Sequence, residues 1–326
     1  MSVQDRPFHL TVSRFAAEAK DIALLELRDP EGHSLPVFSP GAHLELVLED
    51  GLLRHYSLLN CSTERDRYVV AVHLAPRSRG GSSFIHSRVR QGDVITAHGP
   101  RNNFPLDEDA PGYLFVAGGI GVTPILSMVR WCERQGKRWR LLYACRNRQR
   151  AAFYETLAEM GGDRVQFHFQ DEQEGRLPDV NAFIKQLPDG HHLYCCGPDP
   201  MMRAVRDHAE ELDIDRVHFE WFEAPAAQAG RDEPQGDASG FDVRLMERDM
   251  TIHVPPDLSI LEALEQQGID MPYACRAGIC RTCEVEVCGG EPDHRDFILD
   301  DQERGSGKTI LVCVSRSNTD TLDLKI

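Results

Sequence analysis

Along the first hundred residues, apolar and polar positions alternate in short runs. Phe8 to Val12, His43 to Leu48 and Tyr68 to Leu74 each read as a strand. Asp29-Pro30, Ser39-Pro40-Gly41, Glu49-Asp50-Gly51 and the Gly80-Gly81 pair interrupt the runs with turns. Short strands with frequent turns predict a small antiparallel β-barrel over 1–108. Near residue 112 the period changes. Tyr113-Leu114-Phe115-Val116-Ala117 is a continuous apolar run leading into glycines. Ile125, Leu126, Met128, Val129 and Cys132 then share one helical face. Arg140 to Ala144, Val165 to Phe169 and His192 to Cys196 are further buried-strand runs, separated by helical stretches. Alternating β and α predicts a parallel-sheet α/β domain over 109–224. Residues 225–240 hold almost nothing to bury and read as a linker. Strands over Asp242 to Glu247 and Thr251 to Val254, and a helix over Ser259 to Gln267, open a third domain, 241–326.

Composition narrows the function classes. The 326 residues contain no apolar run of membrane-spanning length. Met1-Ser2-Val3-Gln4-Asp5-Arg6 lacks the basic start and apolar stretch of a signal peptide. A net charge of -16 argues against nucleic acid or an anionic membrane as partner. We expect a cytoplasmic monomer. Ten cysteines without an export signal fit a reducing compartment and a metal or cluster site better than a disulfide framework. Cys61, Cys132, Cys145, Cys195, Cys196 and Cys288 read mostly as small core fillers.

The remaining four, Cys275, Cys280, Cys283 and Cys313, are spaced C-x4-C-x2-C-x29-C, the plant-type [2Fe–2S] spacing. Three thiolates converge from one loop and the fourth arrives from a distant strand. The loop must turn its amides toward sulfur, which favours small residues such as Ala274, Ala277 and Gly278. These contacts help set a potential of roughly −400 mV in plant-type centres. A structural zinc site also uses four cysteines, but usually as two matched C-x2-C pairs.

From Cys275 to Asp296, through Gly290-Glu291-Pro292-Asp293-His294-Arg295-Asp296, and again at Cys313-Val314-Ser315-Arg316, the chain resembles the phthalate dioxygenase reductase family. That resemblance implies a β-grasp ferredoxin domain. The family commonly has Gly after the second cysteine, where this chain has Arg281. A long cation there could raise the cluster potential or contact a partner. His294 reads as structural.

Arg54-His55-Tyr56-Ser57 resembles the R-x-Y-[ST] motif of ferredoxin-reductase-like flavin domains, with Pro40-Gly41-Ala42-His43 upstream and Gly80-Gly81-Ser82-Ser83 downstream. Tyr56 can lie against a flat isoalloxazine. Ser57 can hydrogen-bond near its reactive nitrogen. Arg54 and the Gly81–Ser82 amides can take the phosphate. The resemblance adds His55, Val72, His73 and Leu74 to the flavin residues and implies FMN rather than FAD. Alone, R-x-Y-S also fits a plain strand with one exposed arginine.

Gly118-Gly119-Ile120-Gly121-Val122-Thr123-Pro124 follows a strand and opens a helix, with Thr123 as a candidate N-cap and Pro124 as first helical residue. A glycine turn lets backbone approach a pyrophosphate at a helix N-terminus. As G-G-x-G-x-T-P it resembles the NAD(P)H half of the same reductases. Arg146 could reach pyrophosphate or ribose. In Cys195-Cys196-Gly197-Pro198-Asp199-Pro200-Met201-Met202 the resemblance places Cys196 beside nicotinamide, with Gly197, Pro198 and Met201 around it. It also places Phe222 over the flavin. Arg146, Arg148 and Arg150 could hold a 2′-phosphate, whereas Asp171 or Glu172 could bind ribose hydroxyls instead. The resemblance favours NADH.

The implied order is NADH, FMN, cluster: a hydride accepted as a pair of electrons, then released singly. Segment 241–326 carries 17 acidic and nine basic residues, a net of -8. That charge suits transient docking on a basic acceptor, or merely keeps the protein soluble. The resemblance makes the acceptor a separate Rieske non-haem iron oxygenase acting on an aromatic acid such as phthalate. Two rivals remain open: a cytochrome P450 or di-iron monooxygenase as acceptor, and a flavin-free binding module with a structural zinc.

Overall fold

The computed structural model describes residues 7–76, 78, 80–223 and 240–326. The N-terminal hexapeptide and the linker expected over 225–240, except Gly240, lie outside the described residues. The chain divides into two compact units, Met1–Phe222 and Glu223–Ile326.

In the first unit, β1 (Phe8–Ala19), β2 (Ile22–Arg28), β3 (His43–Val47), β4 (Leu53–Ser57), β5 (Tyr68–His73) and β6 (Val94–Arg101) form one antiparallel sheet ordered β4-β3-β6-β1-β2-β5. A bridge between Leu58 and Val70 carries the β4 end back to β5 and closes the barrel. Alternate residues turn inward: Leu10 and Val12, Leu25 and Leu27, Leu44 and Leu46, Val70 and Val72 share one core. The Gly80-Gly81 signal, expected as a turn, opens helix α1 (Gly81–Arg88).

The rest of this unit is a parallel sheet. Its chain order is β7 (Gly112–Gly118), α2 (Val122–Gln135), β8 (Arg138–Cys145), α3 (Tyr154–Gly161), β9 (Val165–Phe169), α4 (Val180–Ile184), β10 (His192–Cys196), α5 (Asp199–Glu211) and β11 (Val217–Glu220). The strands lie in the order β11-β10-β7-β8-β9. Every residue of β7 is buried, as a central parallel strand requires. Helices α2 and α3 pack on one face with Phe115, Tyr143 and Tyr194. Helices α4 and α5 cover the other with Leu114, Val116 and Leu193. The winding reverses between β7 and β10, so a crevice opens beyond their C-terminal ends.

A second local expectation is corrected. Thr123 does not cap α2. The tight turn Gly119–Gly121 starts the winding earlier, Gly121 becomes the cap, and the Thr123 hydroxyl donates to the Ile120 carbonyl at 2.9 Å. Gly136, at φ +65°, ends the helix.

In the second unit, β12 (Phe241–Leu245), β13 (Met250–Val254), α6 (Ile260–Gln266), β14 (Glu284–Gly289), β15 (Pro292–Asp293), α7 (Asp301–Ser306), β16 (Thr309–Leu311), β17 (Arg316–Ser317) and β18 (Thr321–Leu324) follow in order. The sheet runs β13-β12-β18-β14-β16, with only β12 and β18 parallel. Helix α6 lays Ile260, Leu261 and Leu264 on it, which gives the β-grasp arrangement. Reciprocal caps, Ser259 with Glu262 and Asp300 with Glu303, fix where α6 and α7 begin.

Phe115 is fully buried at the centre of β7. Phe115→Ala should destabilise the protein by about 3–5 kcal/mol, read as a lowered urea midpoint by tryptophan fluorescence.

Candidate redox sites

The glycine turn and the loop after β10 interlock at the crevice. A Cβ on Gly121 would stand 2.2 Å from the Cys196 carbonyl oxygen, and one on Gly118 would stand 2.4 Å from Pro198 Cδ and 3.0 Å from Met201 Sδ. Only bare backbone fits between these segments. Gly119, at φ +54°, has open space where a side chain would be. The turn therefore leaves backbone exposed beside an opening, as a pyrophosphate needs. The opening is a cleft of about 300 Å³, lined by Lys20, Ile22, His73, Gly119, Cys145 and Arg146 among others.

Parallel pairing of β10 with β11 sets Cys196 against Glu220. Cys196 is fully buried, Glu220 is half-buried with its Oε2 enclosed, and the Ser57 side chain lies within hydrogen-bonding reach of the Glu220 carboxyl. Burial pushes Glu220 up to about 8, against the weaker opposing effect of Ser57. Burial, then Glu220, pushes the Cys196 thiol well up. At neutral pH the junction therefore consists of a thiol, a carboxylic acid and a hydroxyl, all uncharged. Glu220 Oε2 is buried without a hydrogen-bond partner. An orphaned group of this kind, between the strand proposed for flavin and the cysteine proposed for nicotinamide, fits a polar ring edge. Glu220 was not singled out from sequence. The signal was an acid inside an apolar run, Phe219-Glu220-Trp221-Phe222. Phe222 itself is 39% exposed.

On β4, Arg54 lies across the start of α1: a Cβ on Gly81 would meet Arg54 Cγ at 2.6 Å and Nε at 2.8 Å. A cation over helical amides is a cradle for a phosphate. Tyr56 packs against the barrel core, and burial raises its phenol, which stays protonated. His55 turns to the other face, where Nε2 lies 2.8 Å from Glu45 and the ring stacks on His43 at 4.7 Å. Burial, then His55, pushes His43 down to about 3, so it is neutral. The Val72 side chain lies in the barrel core, and its carbonyl is 2.8 Å from His86 Nε2. His73 faces the cleft. The Leu74 amide donates to the Asp21 carbonyl. Ser82 Oγ accepts from the Ala75 amide at 3.2 Å.

The basic loop after β8 is largely neutralised. Arg148 grips Glu172 through Nε at 2.6 Å and Nη2 at 3.3 Å. Arg150 pairs with Asp21 at 2.7 Å. The Asp171 amide donates to the Arg146 carbonyl at 3.1 Å.

In the second unit the loop 275–283 gathers three cysteines, and Cys313 reaches it from beyond β16. Amides of Ala277 and Ile279 are directed at Cys275, and that of Gly278 at Cys313. Amides converging on sulfur are what thiolates and bridging sulfides need. Gly278, at φ +68°, has no room for a Cβ, with Val314 Cγ2 at 2.7 Å and Asp296 Cα at 3.0 Å. Its carbonyl accepts from the Phe297 amide, tying the loop to the 294–297 segment. Arg281 sits at φ +61°, a conformation that suits glycine. Its guanidinium is held by Glu303 (2.8 and 2.5 Å), Glu284 (3.3 Å) and the Ile298 carbonyl (3.2 Å). The charge is thus paired within the unit. His294 is buried 3.7 Å from Asp296, and Cys288 is exposed on β14.

Residues 243–318 match the family model described as 2Fe-2S iron-sulfur cluster binding domain. Residues 94–218 match the N-terminal domain of dimethylamine monooxygenase subunit DmmA-like proteins. The chain is 43% identical to phenoxybenzoate dioxygenase subunit beta of Ectopseudomonas oleovorans over 320 residues, 98% of each chain. It is 39% identical to phthalate dioxygenase reductase of Burkholderia cepacia, over 94% of each. A solved phthalate dioxygenase reductase, described as modular for electron transfer from pyridine nucleotides to [2Fe-2S], superposes with a TM-score of 0.72 at 36% identity over 98% of both chains. An intact type IV self-sufficient cytochrome P450 monooxygenase gives 0.89 at 35% identity; it covers all of this chain, which spans 42% of that longer one.

The buried acid makes the first unit pH-sensitive. Glu220 moves from 4.5 to about 8 on folding, so the native state binds the extra proton in that window. Its contribution is fully present below 4.5 and is lost as pH rises toward 8, a difference of a few kcal/mol. Urea midpoints of wild type and Glu220→Gln should therefore diverge between pH 5 and 8, with the Gln variant losing less stability as pH rises.

Proposed function

The chain belongs to the phthalate dioxygenase reductase family, and on that premise we propose that it carries electrons from NADH through FMN and its [2Fe–2S] cluster to a separate Rieske non-haem iron oxygenase acting on an aromatic acid such as phthalate. The observation that supports this reading is the convergence of Ser57, Cys196 and Glu220 beside the Gly118–Gly121 turn at the switch point of the parallel sheet. When bound, FMN takes up the paired electrons of a nicotinamide hydride and the cluster relays them singly.

The protein supplies position and electrostatics. Arg54 and the amides opening α1 hold the flavin phosphate, and Tyr56 supports the ring. The Gly118–Thr123 turn, with Pro124 behind it and Arg146 at its side, takes the pyrophosphate. Gly197, Pro198 and Met201 would seat the nicotinamide against Cys196, and Phe222 would cover the flavin where the nicotinamide must enter. The protonated junction would keep fixed charge away from the place where a hydride is transferred. Cys275, Cys280, Cys283 and Cys313 ligate the cluster. No helix among the described residues is long and apolar enough to cross a membrane, and no disulfide joins any of the ten cysteines.

The acidic 241–326 segment supports docking of a monomer on a basic face of the oxygenase. A cytochrome P450 or di-iron monooxygenase as acceptor is the second reading, supported by the likeness to a self-sufficient P450.

Anaerobic NADH titration of the full-length holoprotein should bleach the flavin and develop the EPR signal of a reduced [2Fe–2S] centre. Cys280→Ser should lose that signal and still bleach its flavin. A variant that no longer bleaches would break the proposed order. Mixing the reduced protein with a purified phthalate-type oxygenase or a P450 separates the acceptor readings, and transfer should slow at high salt.

A further inference from the structure

We infer that Glu172 holds Arg148 closed against an adenosine 2′-phosphate, so that this pair sets the choice of NADH over NADPH and masks a latent phosphate site. The inference rests on the reading that the 118–124 turn binds a nicotinamide dinucleotide.

The position follows from the sheet. With the pyrophosphate on the turn after β7, the adenosine half lies toward the end of the adjacent strand β8. The chain there runs Cys145-Arg146-Asn147-Arg148-Gln149-Arg150, and the next strand, β9, ends just before Asp171 and Glu172. These two loop ends are joined by the Asp171 amide on the Arg146 carbonyl. Gly119, Cys145, Arg146 and Arg150 line one cleft, so the loop and the glycine turn face the same space.

The chemistry follows from how Arg148 is occupied. Nε and Nη2 go to the two oxygens of Glu172, and Nη1 donates to Tyr154 Oη at 2.8 Å. The guanidinium also lies over the rings of Phe169, at 4.7 Å, and Tyr154, at 5.3 Å. A forked guanidinium held over aromatic rings can receive a phosphate, and a bidentate carboxylate uses the same donors that a phosphate would. Glu172 thus fills the receptor from within. Arg150 is tied to Asp21. Around Arg148 an incoming phosphate dianion would meet two compensated arginines, Arg148 and Arg150, and the carboxylates of Asp171 and Glu172. A ribose hydroxyl meets no such repulsion. With about half of each side chain exposed, the Arg148–Glu172 pair contributes little to folding, so opening it should leave the domain intact.

The test uses the full-length holoprotein, Glu172→Gln, and the double variant Glu172→Gln/Arg148→Ala, each checked for a native circular dichroism spectrum. The readouts are kcat/KM for flavin reduction with NADPH, and the affinities for 2′-AMP and 5′-AMP. Glu172→Gln should raise kcat/KM for NADPH and 2′-AMP affinity by about tenfold, the scale of one charge-assisted contact. The double variant should lose that gain. A folded Glu172→Gln protein with no gain for either phosphate ligand overturns the inference. So does a gain that survives removal of Arg148, because carboxylate repulsion alone would then be the cause. Wild-type protein that neither binds 5′-AMP nor is reduced by NADH would instead overturn the dinucleotide reading beneath it.

Discussion

At residue 121 the backbone of one chain segment passes the carbonyl of another so closely that a single Cβ would stand 2.2 Å from oxygen. The arrangement of the first unit turns on that crossing. It lets the turn after β7 nest into the loop after β10, where Gly118, Pro198 and Met201 complete the contact. The ends of two strands from opposite sides of the winding reversal are thereby locked in register. β10 in turn fixes β11 by parallel pairing, which places Glu220 opposite Cys196 and brings it to Ser57 of the barrel. Three groups from three distant stretches of chain meet because a glycine permits two backbones to touch.

The electrostatic consequence is neutrality. Enclosure of the Glu220 carboxyl and of the Cys196 sulfur penalises a carboxylate and a thiolate alike, so both groups favour the protonated form. A charged group at the junction would bias a hydride donor and acceptor through a low dielectric, whereas protonated groups offer hydrogen bonds without a net field. The second unit handles charge differently. Amides turn toward the cysteine sulfurs, and both long cations in the loop are paired, Arg281 with Glu303 and Glu284 and Arg276 with Glu265.

Much of the fold was legible because it is local. Alternation marked β1, β3 and β5, the apolar runs marked β7 to β10, and the cysteine spacing marked the cluster loop. What sequence missed depends on partners far away. Glu220 is unremarkable until Ser57, more than 160 residues earlier, is placed against it. Arg148 read as a candidate phosphate ligand, because nothing in its neighbourhood reveals that Glu172, 24 residues on, has taken its donors. Thr123-Pro124 imitates a helix start, but the glycines before it wind into a tight turn first. Arg281 was visible as a departure from glycine, yet its φ of +61° and its grip on Glu303 belong to the folded loop.

The central claim is that reducing equivalents enter at the Ser57–Cys196–Glu220 junction as hydride and only then reach the iron. Anaerobic stopped-flow mixing with NADH and with NADH deuterated at the transferred position resolves this directly. The account predicts that flavin absorbance falls first, in a step slowed by deuterium, and that the cluster bands follow. Cluster bleaching that precedes the flavin phase, or a first phase insensitive to deuterium, would contradict it.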